Sequence, residues 1–152
     1  MKIPFNDLSR HHEIFKDQFH EILTNAIKNS SFVRGQQITD FENSFSNIVN
    51  KNFCIGVANG TDALEIALKS LNLSYGDEVI VPSHTWISTA EAVSNVGLKL
   101  KFCDTDLETF NICTKSLEES ITSKTKALIV VHFAGQAANM DEILRITKKF
   151  NL

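Results

Sequence analysis

From residue 50 onward the chain alternates between compact apolar runs and helical apolar stripes, and this rhythm limits the possible folds more than any other feature. Phe53-Cys54-Ile55-Gly56-Val57 is a short apolar run and predicts a buried strand. Leu64, Ala67, Leu68 and Leu71 follow at helical spacing. Ser74-Tyr75-Gly76-Asp77 reads as a turn, and Glu78-Val79-Ile80-Val81 as a strand ended by Pro82. A helix is expected over Trp86 to Val96, a strand over Lys99 to Cys103, and a short helix over Thr114 to Ile121. Ala127-Leu128-Ile129-Val130-Val131 is the most apolar strand, and Met140, Ile143, Leu144, Thr147 and Phe150 form a last helical stripe. Such alternation predicts an α/β fold with helices packed on a mostly parallel sheet. Ligands of open parallel sheets sit at the carboxyl ends of strands. The segments after Val57, Val81, Cys103 and Val131 are therefore the ones to search.

The first fifty residues read differently. A short extended arm is expected around Ile3-Pro4-Phe5. An amphipathic helix follows over His12 to Asn29, carrying Ile14, Phe15, Phe19, Ile22, Leu23 and Ile27. Gly35 marks a turn, and Phe41, Phe45 and Ile48-Val49 give a second helix over roughly Gln36 to Asn50. The expected division is therefore residues 1–50, arm and lead-in helices, and residues 51–152, an α/β domain.

Charge and cysteine usage exclude several function classes. With 15 Lys+Arg against 18 Asp+Glu the chain lacks the basic excess of a nucleic-acid binder. No stretch approaches the roughly 18 to 20 apolar residues of a membrane helix. Cys54, Cys103 and Cys113 are odd in number and unpaired by short spacing, which fits free thiols in the cytoplasm. No metal is expected: His12-Glu13-Ile14-Phe15-Lys16 lacks the second histidine of a zincin helix.

Four segments could carry chemistry. Ala58-Asn59-Gly60-Thr61-Asp62-Ala63 lies between the expected strand and helix. A helix N-terminus presents free N–H groups and partial positive charge, so it suits a phosphate, with Gly60 permitting close approach and Thr61 adding a hydroxyl. Equally, Thr61 or Asp62 could simply cap the helix, with Asp62 and Glu65 as a capping-box variant. Pro82-Ser83-His84-Thr85-Trp86 places the only tryptophan at a strand's carboxyl end, where an indole could stack on a flat ring or pack on the core. His84 has no defined acid or base partner. Cys103-Asp104-Thr105-Asp106 reads as a solvated turn rather than a metal–nucleotide site. His132, just past the last strand, reads as a satisfied histidine supporting a loop.

In order along the chain, these segments are far more specific than singly: Asn59-Gly60-Thr61-Asp62-Ala63-Leu64, Gly76-Asp77-Glu78-Val79-Ile80-Val81-Pro82-Ser83, Thr85-Trp86-Ile87-Ser88-Thr89, Val131-His132, Gly135-Gln136 and Met140-Asp141. The series, with Ile3-Pro4-Phe5-Asn6-Asp7-Leu8 and Phe32-Val33-x-Gly35, resembles the N-terminal part of the DegT/DnrJ/StrS nucleotide-sugar aminotransferases. These are fold-type I enzymes dependent on pyridoxal 5′-phosphate. The resemblance implies that residues 51–152 are an incomplete cofactor-binding large domain. It implies that the backbone at Gly60, Thr61 and Asp62 cradles the cofactor phosphate and that Trp86 stacks on the pyridine ring. It implies a nucleotide-sugar substrate, an amino-acid donor such as glutamate, and a homodimer at full length. Ala134 and Ala137-Ala138-Asn139 depart from the family's usual residues at a loop and a helix start.

In that family the aspartate pairing with the pyridinium nitrogen and the lysine that binds the cofactor covalently lie further along than Leu152. The resemblance therefore places no catalytic residue in this chain, and the twelve lysines match non-catalytic positions. The chain is expected to be an N-terminal fragment. Two other readings stand beside the aminotransferase: a sugar dehydratase of the same family, whose lysine position holds histidine, and a non-catalytic binding module.

Overall fold

The computed structural model describes residues 4–152, so the arm expected around Ile3-Pro4-Phe5 lies partly outside the described residues. Two compact units divide after Gly56, beyond the seam expected near residue 50.

The first unit holds three helices, α1 (Leu8–Ile14), α2 (Lys16–Asn29) and α3 (Gln36–Ile48). The single helix expected over His12 to Asn29 is thus two, separated at Phe15. Gly35 precedes α3 with φ 125°, a left-handed conformation that favours glycine. The Phe41 and Phe45 rings stack one helical turn apart in α3. The apolar stripe of α2 is exposed at Phe19, Ile22, Leu23 and Ile27.

The expected strand at Phe53–Val57 does not form. Phe53 is 86% and Ile55 78% exposed, and the run has no ladder partner among the described residues. An apolar run becomes a strand only where a neighbour takes its N–H and C=O groups. Among the described residues only Glu42 hydrogen-bonds to this segment's backbone, accepting from Gly56 N–H at 2.6 Å.

The second unit opens with α4 (Gly60–Ser70). It continues through β1 (Glu78–Pro82), α5 (Ser88–Asn95), β2 (Lys99–Cys103), α6 (Thr114–Ser120), β3 (Thr125–Leu128) and α7 (Met140–Phe150). The three strands are parallel in the order β2-β1-β3. β3 begins earlier and ends earlier than its apolar run suggests, although Ile129 N–H still donates to Ile80 C=O at 2.9 Å. Strand β1 is central, and all five of its residues are buried, as the apolar run Val79–Pro82 leads one to expect of a strand covered on both faces.

Alternation along β1 sorts the core into two layers. Val79 and Val81 pack with Leu68 of α4 and with Ala92 and Val93 of α5. Ile80 faces the other way, toward Leu117 of α6 and Ile143 and Ile146 of α7. Helices on both faces complete three layers. Gly97, at φ 78°, closes α5: Leu98 N–H returns to Val93 C=O, a left-handed cap that glycine adopts most readily.

One charged group enters this core. Glu78, at the start of β1, accepts from the Thr122 hydroxyl at 2.6 Å and lies 3.4 Å from Lys99 and 3.9 Å from Lys101. The Thr122 hydrogen bond, the largest single cause, together with Lys99 and Lys101 holds the Glu78 carboxyl below the usual range against the opposing effect of burial. This network lies where the strands begin, leaving their carboxyl ends to the loops. No helix among the described residues is long and apolar enough to cross a membrane.

Candidate functional site

At the amino end of α4 the cap is neither Thr61 nor Asp62. Asn59, in extended conformation, accepts from Asp62 N–H through Oδ1 at 2.9 Å, and its Nδ2 donates to the Asp62 carboxylate at 3.2 Å. Both capping alternatives raised by the sequence are therefore corrected: an extended backbone is needed at the cap, and Thr61 and Asp62 are already helical. The supposed capping-box partner Glu65 instead accepts from Asn95 Nδ2 of α5 at 2.7 Å, tying the two helices together.

This cap decides which donors remain. Asp62 N–H is taken by Asn59, and Ala63 N–H bonds to Asn59 C=O. Gly60 and Thr61 N–H have no acceptor among the described residues. Gly60 is exposed, and a Cβ built there would meet nothing within 4 Å, so its surroundings are uncrowded. An exposed helix terminus with two free N–H groups, a neighbouring hydroxyl and open approach suits an anion of phosphate size.

Trp86 lies in the loop between β1 and α5, two residues before the helix rather than in its first turn. Its side chain is 77% exposed, so it is not a core tryptophan. The loop is fastened at its start by Ser83 N–H donating to Cys103 C=O at 2.9 Å and further on by the Thr85 and Thr89 hydroxyls, 3.1 Å apart.

Two other sequence candidates resolve as structural. Asp106 Oδ1 accepts from Glu108 N–H, Thr109 N–H and the Thr109 hydroxyl. The Thr109 backbone bond above all holds this carboxyl below its usual range. His132 Nδ1 accepts from Ala138 N–H at 3.1 Å and so supports the loop before α7. Cys103 is buried in the core, and that burial pushes its thiol up to about 12.

Sequence reasoning missed Asn111. This residue is only 4% exposed; it accepts from Phe133 N–H at 2.9 Å and donates to the carbonyls of Gln136 and Ala137. Nothing in its local sequence signals a role, because its partners lie more than twenty residues away.

Comparison with known proteins gives the geometry a context. The profile of the DegT/DnrJ/EryC1/StrS aminotransferase family matches residues 13–152. The dTDP-3-amino-3,6-dideoxy-alpha-D-galactopyranose transaminase of Aneurinibacillus thermoaerophilus is 38% identical over 99% of this chain, which covers 41% of that protein. The crystal structure of DesV from S. venezuelae in complex with a ketimine intermediate aligns with TM-score 0.95 and 30% identity. It covers 99% of this chain, and 41% of that one is matched. A GDP-4-keto-6-deoxymannose-3-dehydratase with a trapped PLP-glutamate geminal diamine aligns with TM-score 0.78 at 30% identity, over 84% of this chain and 35% of that one. The chain thus spans about 41% of the length of its curated relative.

Proposed function

This chain belongs to the DegT/DnrJ/EryC1/StrS aminotransferase family, and from that premise we propose that the whole protein is a cytoplasmic enzyme that moves an amino group, with glutamate as donor, onto a keto-sugar carried by a nucleotide. Its cofactor is pyridoxal 5′-phosphate, and the working form is a homodimer. The observation that carries this reading is the pair of unpartnered N–H groups at Gly60 and Thr61, in the same unit as an exposed tryptophan in the β1–α5 loop.

The residues present fit a phosphorylated pyridine. Gly60 and Thr61 donate their N–H groups to the phosphate, and the Thr61 hydroxyl adds a third donor. Asp62 contributes by shaping the cradle: its N–H and carboxylate lock Asn59, which fixes the first turn. Trp86 covers one face of the ring with its indole and shields it from water. When bound, the cofactor supplies the electron sink that amino transfer requires. Residues 57–152 are then the amino-terminal part of the cofactor-binding large domain, and the 152-residue chain alone binds without turnover.

The similarity to a dehydratase keeps a second reading in view: by the family resemblance, the position that separates the two activities, lysine or histidine, has no counterpart among residues 1–152. Reading the gene beyond the Leu152 codon decides between them. A further strand ending in Asp-x-Ala, followed by a lysine in a Ser/Lys segment, supports the aminotransferase. Histidine at the lysine position supports the dehydratase. A stop codon at that point overturns both and leaves a binding module.

A further inference from the structure

The three loops that leave the carboxyl ends of β1, β2 and β3 each contribute one aromatic ring to a single cluster. His84 comes from the first loop, Phe110 from the second and Phe133 from the third. Ring centroids lie 4.7 Å apart for His84 and Phe133, 5.7 Å for His84 and Phe110, and 5.9 Å for the two phenylalanines. These separations are in the range of favourable tilted aromatic contact. His84 is exposed and makes no hydrogen bond among the described residues; its ring lies against these two.

Both phenylalanines are themselves held. Phe110 adopts φ 57°, a left-handed conformation uncommon for a bulky residue, and its N–H donates to Asp106 C=O at 2.9 Å. Phe133 N–H is held by Asn111 Oδ1, and the same Asn111 amide clamps Gln136 and Ala137. The buried amide therefore fixes Phe133, and Phe133 with Phe110 grips His84. Two residues on from His84 stands Trp86, which is exposed and pairs with no aromatic ring among the described residues.

We propose that His84 is a positioning residue: gripped by Phe110 and Phe133, it holds the Ser83–Ile87 loop so that the Trp86 indole is presented in one orientation. The consequence for a bound ring rests on the function proposed above, whereas the positioning itself does not. Pre-ordering one large side chain is worth about two- to tenfold in affinity.

Trp86 is the only tryptophan, so its time-resolved anisotropy in the 152-residue chain reports this loop alone, with no ligand added. His84→Ser is expected to raise the amplitude of the subnanosecond component about twofold. His84→Phe, which keeps a ring in the grip, should restore it. Phe133→Leu, remote from Trp86 in sequence, should reproduce the His84→Ser result while far-ultraviolet dichroism stays unchanged. An unchanged anisotropy decay in His84→Ser, or a His84→Phe variant as mobile as His84→Ser, overturns the proposal. If Phe133→Leu perturbs the dichroism, the His84 pair alone decides by the same criterion, since that side chain is exposed. Failure of pyridoxine 5′-phosphate to bind the unaltered chain would count against the proposed function and leave this result standing.

Discussion

Replacing Asn59 separates capping from charge at the amino end of α4. In the extended conformation of this residue alanine brings no strain, so Asn59→Ala simply deletes the bond to Asp62 N–H. Loss of such a cap costs about 1 kcal/mol, roughly fivefold in the folded-to-unfolded ratio. Aspartate is normally as good a cap as asparagine, and general propensity predicts no change for Asn59→Asp. The structure predicts otherwise. The Asn59 Nδ2 that now donates to the Asp62 carboxylate at 3.2 Å would become a second carboxylate oxygen. Two unit charges about 4 Å apart in water repel by about 1 kcal/mol, which offsets the retained cap. At low salt Asn59→Asp should therefore be as destabilised as Asn59→Ala. In 1 M salt the screening length falls to about 3 Å, so the aspartate variant should recover toward the unaltered chain and the alanine variant should not. Urea unfolding followed by dichroism at 222 nm, compared at constant m-value, measures both. Equal midpoints for Asn59→Asp and the unaltered chain at low salt would refute the proposed contact with Asp62.

Other consequences are as direct. Pyridoxine 5′-phosphate, which has no aldehyde to react with surface lysines, should quench Trp86 emission at concentrations where unphosphorylated pyridoxine does not; equal quenching by both would remove the phosphate cradle from the reading. Thr61→Val, which deletes one hydroxyl donor, should weaken that binding by about 1 kcal/mol, or roughly fivefold, as measured by the same titration. Glu78 has its folded pKa held down, so its stabilising effect is complete above the ordinary glutamate range and is lost as pH falls through the lowered value. Glu78→Gln should thus flatten the acid limb of a stability-versus-pH curve, and a curve parallel to that of the unaltered chain contradicts the assignment. Leu117 of α6 is fully buried in the cluster with Ile80 of β1 and Ile143 and Ile146 of α7, and Leu117→Ala should cost about 2–5 kcal/mol in urea unfolding; a loss under 1 kcal/mol would place it outside the core.

Much of the fold was legible because local patterns carry physical information. The apolar run at Val79–Val81 between a turn and Pro82 reads as a strand buried on both faces, and the stripe from Met140 to Phe150 as a helix with one covered side. The turn at Asp106 was readable because a short carboxylate folds back on the N–H groups that follow it. The exposure of Trp86 was not legible, since an indole serves a core or a ligand equally well from the same position.

Sequence alone determined the alternation of strands and helices, the parallel sheet it requires and the family to which the ordered motifs belong. Tertiary structure decided what depends on partners distant in the chain. Phe53–Val57 has strand composition and no strand, because hydrogen-bonding neighbours come from other segments. The α4 cap fell to Asn59, because backbone conformation, not side-chain type alone, selects it. The grip of Phe110 and Phe133 on His84 exists only because three parallel strands end side by side, bringing together loops whose separation in sequence hides that they meet.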